Sequence, residues 1–342
     1  MDINSTISVV MTVFNGDKFI KEAIDSILNQ TFSDFEFIIV DNASTDRTKE
    51  IVSSYNDRRI ILIENDQNLG QTKALRIGIM RSRGKFIARM DADDISLPER
   101  LELQYKYLEK KGDVAVVGTW HEEIDKNGKH IKFFKLPTDP LEIKCYLISP
   151  GELGYYCISH PTVLIRRNVL LETGFYNEAY RTQDYDLWVR VVRKYKLANL
   201  DQFLVKHRIT AKQQSKEFKD DVETECEKII IANIRYYLPC LSEEELIPLV
   251  RMLQYKPQRC KKDGLKVLNA FNIFFKKYMN GQEDKKTIKE IQTKIELFYL
   301  LQLIKTNTFY SVAESLRRIV VNPNILLDNK LYKKMARAIL TN

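Results

Sequence analysis

Ile7-Ser8-Val9-Val10-Met11-Thr12-Val13, closed by the turn pair Asn15-Gly16, gives the first indication of the fold. Five apolar residues in seven suit a strand covered on both faces, and Asn-Gly ends it. A helical stripe follows over residues 18–29, where Phe19, Ile20, Ala23, Ile24, Ile27 and Leu28 recur at helical spacing. Residues 35–40 repeat the strand pattern and run into Asp41-Asn42-Ala43-Ser44-Thr45-Asp46, where Ser44 or Thr45 is expected to cap a helix through Tyr55. Residues 60–64 form a third strand, 72–81 a third helix and 86–90 a fourth strand. This alternation predicts an α/β fold, a Rossmann-like, mostly parallel sheet flanked by helices.

Beyond Asp94 the rhythm changes. Residues 98–111 read as a helix opened by Pro98, and 114–120 and 129–134 as strands joined by an Asn127-Gly128 hairpin. A strand over 160–166, helices over 167–173 and 183–195, and a segment over 203–209 complete the first region. From about residue 211 the pattern is helical, with Pro239, Pro248, Pro257, Asn280-Gly281 and Asn322-Pro323 as breaks. Two regions are expected, 1–210 and 211–342. Charge divides at the same place: residues 1–210 hold 30 Lys+Arg and 30 Asp+Glu, and the rest carries the whole net charge of +8.

Composition narrows the class. With 44% hydrophobic and 29% charged residues the chain is globular, and its longest apolar runs, such as 297–301, fall far short of a membrane span. The N-terminus has no basic segment ahead of its apolar run and does not read as a signal peptide. Five cysteines without a CxxC pair point to reduced thiols and a cytoplasmic setting. No GxGxxG follows the first strand and no GxxxxGK[ST] occurs, so dinucleotide oxidoreductases and P-loop NTPases lack their phosphate-binding devices here.

Ligands of open parallel sheets bind beyond the carboxyl ends of the strands. Asp41 lies at the second such end and Asp91-Ala92-Asp93-Asp94 at the fourth. Carboxylates gathered at one point repel, and Mg²⁺ or Mn²⁺ with substrate phosphates would relieve that cost. The same loop could instead be an acidic lead-in to the next helix. Asn68-Leu69-Gly70, leading to Lys73 and Arg76, fits either a phosphate-facing loop or a plain strand-to-helix turn. In Gln183-Asp184-Tyr185-Asp186-Leu187-Trp188, Asp184 falls in the first turn of a helix, where the dipole keeps a carboxylate ionised. It suits a general base or a simple cap.

Taken in order, Thr12-Val13-Phe14-Asn15-Gly16, Val40-Asp41-Asn42-Ala43-Ser44-Thr45-Asp46, Asn68-Leu69-Gly70, Met90-Asp91-Ala92-Asp93-Asp94, Ser159-His160-Pro161-Thr162-Val163 and Gln183–Trp188 resemble the motifs of family 2 glycosyltransferases over residues 5–210. The resemblance implies a GT-A fold and transfer of a hexose, with inversion, from a nucleotide-diphosphate sugar, usually a UDP-sugar. It implies that Thr12, Val13, Asn15, Asp41, Asn68, Lys73 and Asp91 bind the nucleotide and that Asp93 holds Mn²⁺ or Mg²⁺, with Asp91 and His207 as further candidates. Asp184 would deprotonate the acceptor hydroxyl, and His160, Asp186 and Trp188 would line the acceptor side. His160 equally suits a half-buried structural role. The implied acceptor is a saccharide on undecaprenyl diphosphate, used for O-antigen, capsule or exopolysaccharide.

Four positions depart from the family pattern. Asn42 stands where a second Asp is frequent, Arg76 where Asn is common, and Gln183 where Glu is frequent. Thr210 occupies the place of a metal-binding histidine, which leaves His207 to move the ligand or the site without one. The basic region beyond 211, with amphipathic patterns at 223–237 and 288–304, fits peripheral contact with an anionic membrane or a helical bundle that packs on the first region or forms a homodimer. No nucleic-acid motif accompanies the charge. Two other functions are weighed. A non-catalytic sugar-nucleotide sensor would not need Asp184. A haloacid-dehalogenase-type phosphohydrolase would carry its aspartate motif on the first strand, not the fourth.

Overall fold

In the computed structural model, β1 (Ile7–Val13) is buried along its whole length, and elements follow it in near-regular alternation. They are α1 (Ile20–Leu28), β2 (Phe35–Asp41), α2 (Thr48–Ser53), β3 (Ile60–Glu64), α3 (Gln71–Arg81) and β4 (Phe86–Asp91). Then come β5 (Ile95–Ser96), α4 (Arg100–Lys110), β6 (Val114–Ile124), β7 (His130–Phe134), α5 (Pro140–Ile148), β8 (Leu164–Arg166), α6 (Arg167–Thr173), α7 (Gln183–Val191) and β9 (Lys196–Arg208). Helices α8 (Lys219–Tyr237), α9 (Glu243–Leu253) and α10 (Gly264–Tyr278) close the set. The structure describes residues 5–148, 157–210, 219–253 and 264–280, with 285, 286, 288, 289 and 292 besides.

The described strands form one sheet in the order β3-β2-β1-β4-β8-β6-β9-β5, with β7 paired to β6. β3, β2, β1 and β4 run parallel, β8 is antiparallel to both β4 and β6, and β6 and β9 are parallel again. The expected mixed, mostly parallel sheet is therefore present. Its order reverses between β1 and β4, which opens a crevice at their carboxyl ends.

Alternation along the strands sends residues to two helical layers. Val9 and Met11 of β1, Phe37 and Ile39 of β2, and Ile20, Ile24 and Ile27 of α1 share the larger core with Leu101 and Leu108 of α4. Each fully buried isoleucine contributes roughly 2 kcal/mol. On the other face Ile38 and Val40 pack with Ala74 of α3. A Cβ on Gly78 would stand 2.6 Å from Val10 Cγ1, so this glycine lets α3 lie close on the sheet.

Several local expectations are corrected. Residues 160–162 form a 3-10 turn, and the strand shrinks to β8, because Pro161 has no N–H to give a ladder. Neither Ser44 nor Thr45 caps α2. The N-cap position is Arg47, without a side-chain cap bond; Asp46 just ahead of it accepts from the Thr48 N–H at 3.0 Å, while Ser44 takes the Asn15 N–H at 2.9 Å. Pro98 lies in a turn ahead of α4, where its carbonyl accepts from Thr31 N–H. The helix begun at Gln183 ends at Val191, and the segment expected at 203–209 is the end of the longer strand β9. Pro248 does not break the C-terminal pattern but sits inside α9. The pattern at 288–304, Pro257 and Asn322-Pro323 lie outside the described stretches.

By contacts the chain divides into two units, Met1–Lys144 with Tyr156–Glu225, and Cys145–Tyr155 with Cys226–Asn342. In the second unit, Leu246, Leu249 and Val250 of α9 and Phe271, Phe274 and Phe275 of α10 are buried. Tyr237 meets Phe274 and Tyr278 edge-on at 6.0 and 5.4 Å. No helix among the described residues is long and apolar enough to cross a membrane.

Candidate active site

Register alone gathers the first group of residues. Val13 stands opposite Asp41 across β1–β2, and Thr12 opposite Asp91 across β1–β4. Thr12, Val13, Asp41 and Asp91 thus form a row across the crevice. Asp41 is 1% exposed; its Oδ2 accepts from Ser44 N–H at 3.1 Å, while its Oδ1 is buried without a partner. A buried, unpartnered carboxylate oxygen calls for a donor, and the imide N–H of a uracil would supply one.

Loops fix the edges of this row. Asn15, with φ of 53°, accepts through Oδ1 from Thr45 N–H at 2.8 Å and so ties the loop after β1 to the loop after β2. Asn42 uses both ends of its amide. Its Nδ2 donates to Asn68 Oδ1 at 2.7 Å, and its Oδ1 accepts from Asn65 Nδ2 and Leu69 N–H, each at 3.0 Å. Asn68 Oδ1 also takes the Gly70 N–H at 2.9 Å. An aspartate at 42 could not give the first of these bonds. Asn68 is therefore a loop-shaping residue at the rim. Lys73 and Arg76 both turn to Glu178, at 4.0 and 3.4 Å, and Arg76 lies over the Phe175 ring.

The acidic loop is the electrostatic centre. Asp91 ends β4, whereas Asp93 falls in the turn behind it, so the two are not successive same-side strand residues. Arg89, 1% exposed, reaches Asp91 Oδ1 at 2.5 Å. Burial alone would raise Asp91, but Arg89, with His160 and His207, holds it below the usual carboxylate range. Burial and the neighbouring carboxylates Asp94 and Asp91 push Asp93 up to about 7. Asp94 is fully buried and accepts from Arg208 N–H at 2.8 Å and lies 3.0 Å from His207 Nδ1. Burial opposes charge on His207, yet Asp94, Asp91 and Asp93 outweigh it and push it up to about 9.

These residues fit a divalent cation. Asp93 is a carboxylate crowded by others, and Asp94 orients His207 through one ring nitrogen, as carboxylates do behind metal-binding histidines. Among the described residues no three His, Cys, Asp or Glu side chains form a complete ligand set. One or two protein ligands completed by substrate phosphates is the usual arrangement for Mg²⁺.

Asp184 lies in the first turn of α7. Helix-end amides lower it, but burial dominates and its carboxyl rises above the ordinary value, which corrects the expectation that the dipole keeps it readily ionised. Arg89 and Asp91 both act on it, so the base candidate shares the electrostatic field of the acidic loop. Two contacts set its position. Thr72 of α3 donates to Gln183 Oε1, and Glu225 of α8 accepts from Thr182 N–H at 2.9 Å, Thr182 Oγ1 at 3.0 Å and Arg181 N–H at 2.8 Å.

The acceptor-side residues fare unevenly. His160 is half-buried, 2.9 Å from Tyr176 Oη, and burial together with Arg89 pushes it down to about 3, so it is neutral. Asp186 is committed to Arg190 at 2.7 Å. Trp188 is fully buried, with His160 edge-on at 6.1 Å, and its ring is core packing, not an exposed platform. Arg89 was missed. Its signal was a lone arginine in the strand Phe86-Ile87-Ala88-Arg89-Met90, which must find an internal partner. Glu225 gave no local signal.

Residues 8–166 match the model of glycosyl transferase family 2, and the chain belongs to that family. It is similar to an uncharacterized glycosyltransferase of Haemophilus influenzae, 33% identical over 314 residues, covering 87% of this chain and 94% of the other. The O-antigen biosynthesis glycosyltransferase WbnJ of Escherichia coli is 36% identical over 61% of this chain and 82% of its own. Among solved structures, S. aureus TarS in complex with UDP-GlcNAc superposes with a TM-score of 0.57 at 17% identity, over 91% of this chain and 88% of that one. The chain is a glycosyltransferase.

Proposed function

We propose that this glycosyltransferase moves a hexose from a UDP-sugar, with inversion, to a saccharide carried on undecaprenyl diphosphate during assembly of a surface polysaccharide. The observation that carries the reading is the row of Thr12, Val13, Asp41 and Asp91 at the strand ends, with Asp41 Oδ1 buried and unpartnered; that Arg89, the partner of Asp91, also acts on Asp184 supports the choice of base. The complex of TarS with UDP-GlcNAc and the O-antigen role in the name of WbnJ support donor and pathway.

Thr12, Val13, Asn15 and Asp41 bind the base, Asp41 through its unpartnered Oδ1. Asn68 shapes the rim, and Asp91 faces the ribose and diphosphate. Asp93, with His207 as a second candidate, holds Mn²⁺ or Mg²⁺, and the cation supplies charge neutralisation for the departing diphosphate. A solved mannosyltransferase of Pyrobaculum calidifontis with TM-score 0.50 is described in complex with GDP-Man and Mn²⁺. Asp184 takes the proton of the acceptor hydroxyl as its oxygen bonds to the anomeric carbon. The bond from that carbon to the diphosphate oxygen breaks on the opposite face, and UDP leaves.

Asp184→Asn tests the reading. Turnover should fall at least about 100-fold, while the thermal shift produced by UDP with Mn²⁺ remains. Unchanged turnover would remove Asp184 from the chemistry, and no measurable transfer by the wild type to any acceptor would favour a sensor.

A further inference from the structure

We infer that the β6–β7 hairpin is a membrane-facing foot that seats this enzyme on an anionic lipid surface. β7 pairs only with β6 among the described strands, and its residues His130 to Lys132 and Phe133 are exposed. Lys132 lies over the Phe134 ring on one face; Ile131 is the extra residue of a bulge, beyond which His130 comes to the Phe133 side, its ring 4.5 Å from Phe133 and its Nδ1 2.9 Å from Glu122. Ile131 is 50% and Phe133 55% exposed, large apolar side chains that a free surface does not explain. Phe133 continues inward into an aromatic row, 4.7 Å from Phe203, which lies 5.3 Å from Trp120. The Trp120 indole N–H is fixed to Leu136 O at 2.8 Å.

Charge selects the partner. Residues 126–135 contain Lys126, Lys129, Lys132 and Lys135 and no carboxylate, while Glu122, Glu123 and Asp125 lie on β6 and at the start of the turn, so the positive charge gathers on the turn and on β7. All four lysines are exposed. Exposed Ile and Phe between lysines match the chemistry of a bilayer interface, where rings and aliphatic groups enter the headgroup boundary and ammonium groups meet lipid phosphates. Lys132 in the middle of β7, with Lys129 and Lys135 just beyond its ends, makes this edge poorly suited to pair with a second copy.

Position adds to this. On β9, His207 stands opposite Glu123 and Arg208 opposite Ile124 of β6. Buried Arg208 donates to Asp93 O at 2.8 Å and to Asp125 O at 3.2 Å, joining the hairpin turn to the acidic loop. A surface at the hairpin would thus bring lipid-linked material to the reacting end of the sheet. This last point rests on the lipid-linked acceptor proposed above; the surface itself does not.

The test uses the whole chain in co-sedimentation with vesicles of phosphatidylcholine alone or mixed with phosphatidylglycerol. Wild type should bind the anionic vesicles, less at high salt, and the neutral ones weakly. Ile131→Ser/Phe133→Ser and Lys129→Glu/Lys132→Glu should each lower binding about tenfold or more, while Lys276→Glu/Lys277→Glu in α10 stays within about twofold. Thermal melting with and without UDP checks that the variants are folded. Transfer to a water-soluble acceptor analogue that wild type uses should be kept by the hairpin variants, and the vesicle assay itself does not depend on the acceptor. The inference is overturned if wild type ignores anionic vesicles, if the hairpin variants bind as wild type does, or if light scattering shows that they instead abolish a dimer.

Discussion

Glu225 accepts both the backbone N–H and the hydroxyl of Thr182, at 2.9 and 3.0 Å, from 43 residues further along the chain. Thr182 is the residue on which α7 begins, and Asp184 follows two positions later. Removing the carboxylate frees two backbone N–H groups at that point. Glu225→Ala is expected to cost about 1 kcal/mol of stability and to lower kcat roughly tenfold, with donor KM unchanged. Steady-state kinetics beside a urea melt would show it, and an equal rise in KM would reassign Glu225 to donor binding.

Buried Arg89 pairs with Asp91, whose carboxylate is 24% exposed, and removing the arginine leaves that carboxylate uncompensated and only partly solvated. Arg89→Met should destabilise the fold by about 3 kcal/mol. Adding Asp91→Asn should return part of that loss. Equilibrium urea unfolding of both variants measures the difference, and no rescue by the second substitution would mean that Arg89 acts instead through the bond its guanidinium gives to Met90 O.

Asp41→Ala removes the unpartnered Oδ1 and should weaken UDP binding roughly 10- to 100-fold, the worth of a hydrogen bond to a charged group. Calorimetric titration with UDP and Mn²⁺ would read this. The Ser44 N–H loses its acceptor as well, so Asp41→Asn, which can keep that bond, should fold normally yet bind UDP poorly.

The raised carboxyl of Asp184 gives two opposite pH dependences. As a base it must be ionised, so kcat should climb with pH through a value above the ordinary carboxylate range. Stability runs the other way. The folded chain holds this proton more tightly than the unfolded one, so the contribution is complete below the unfolded pKa of about 3.9 and is lost as pH rises through the folded value. Asp184→Asn should therefore melt above wild type at about pH 8, with the gap closing towards about pH 4. A constant gap across that range would point to packing, not ionisation.

Much of this was legible because buried parallel strands write themselves as apolar runs. Residues 7–13, 35–40, 60–64 and 86–90 carry the signal, and the acids at their ends follow. Asn127-Gly128 likewise announced the hairpin, since few dipeptides suit that turn. Trp188 was misjudged because residue type does not say whether an aromatic ring faces sugar or core. Residues 160–166 read as one strand, but Pro161 turns 160–162 into a 3-10 segment and leaves only Leu164–Arg166 extended. Glu225 and Thr72 could not be found at all, because they reach α7 from 43 and 111 residues away. A single sequence holds no trace of such pairings.

The two-ended amide of Asn42 makes positions 42, 65 and 68 a single heritable unit. Restoring the aspartate common in the family would set a carboxylate oxygen against Asn68 Oδ1, and turning the Asn68 amide to oblige would strip the acceptor from Gly70 N–H. Asn42→Asp must therefore bring a turned Asn68 amide and a new acceptor for Gly70 N–H, so that one substitution reshapes the whole rim.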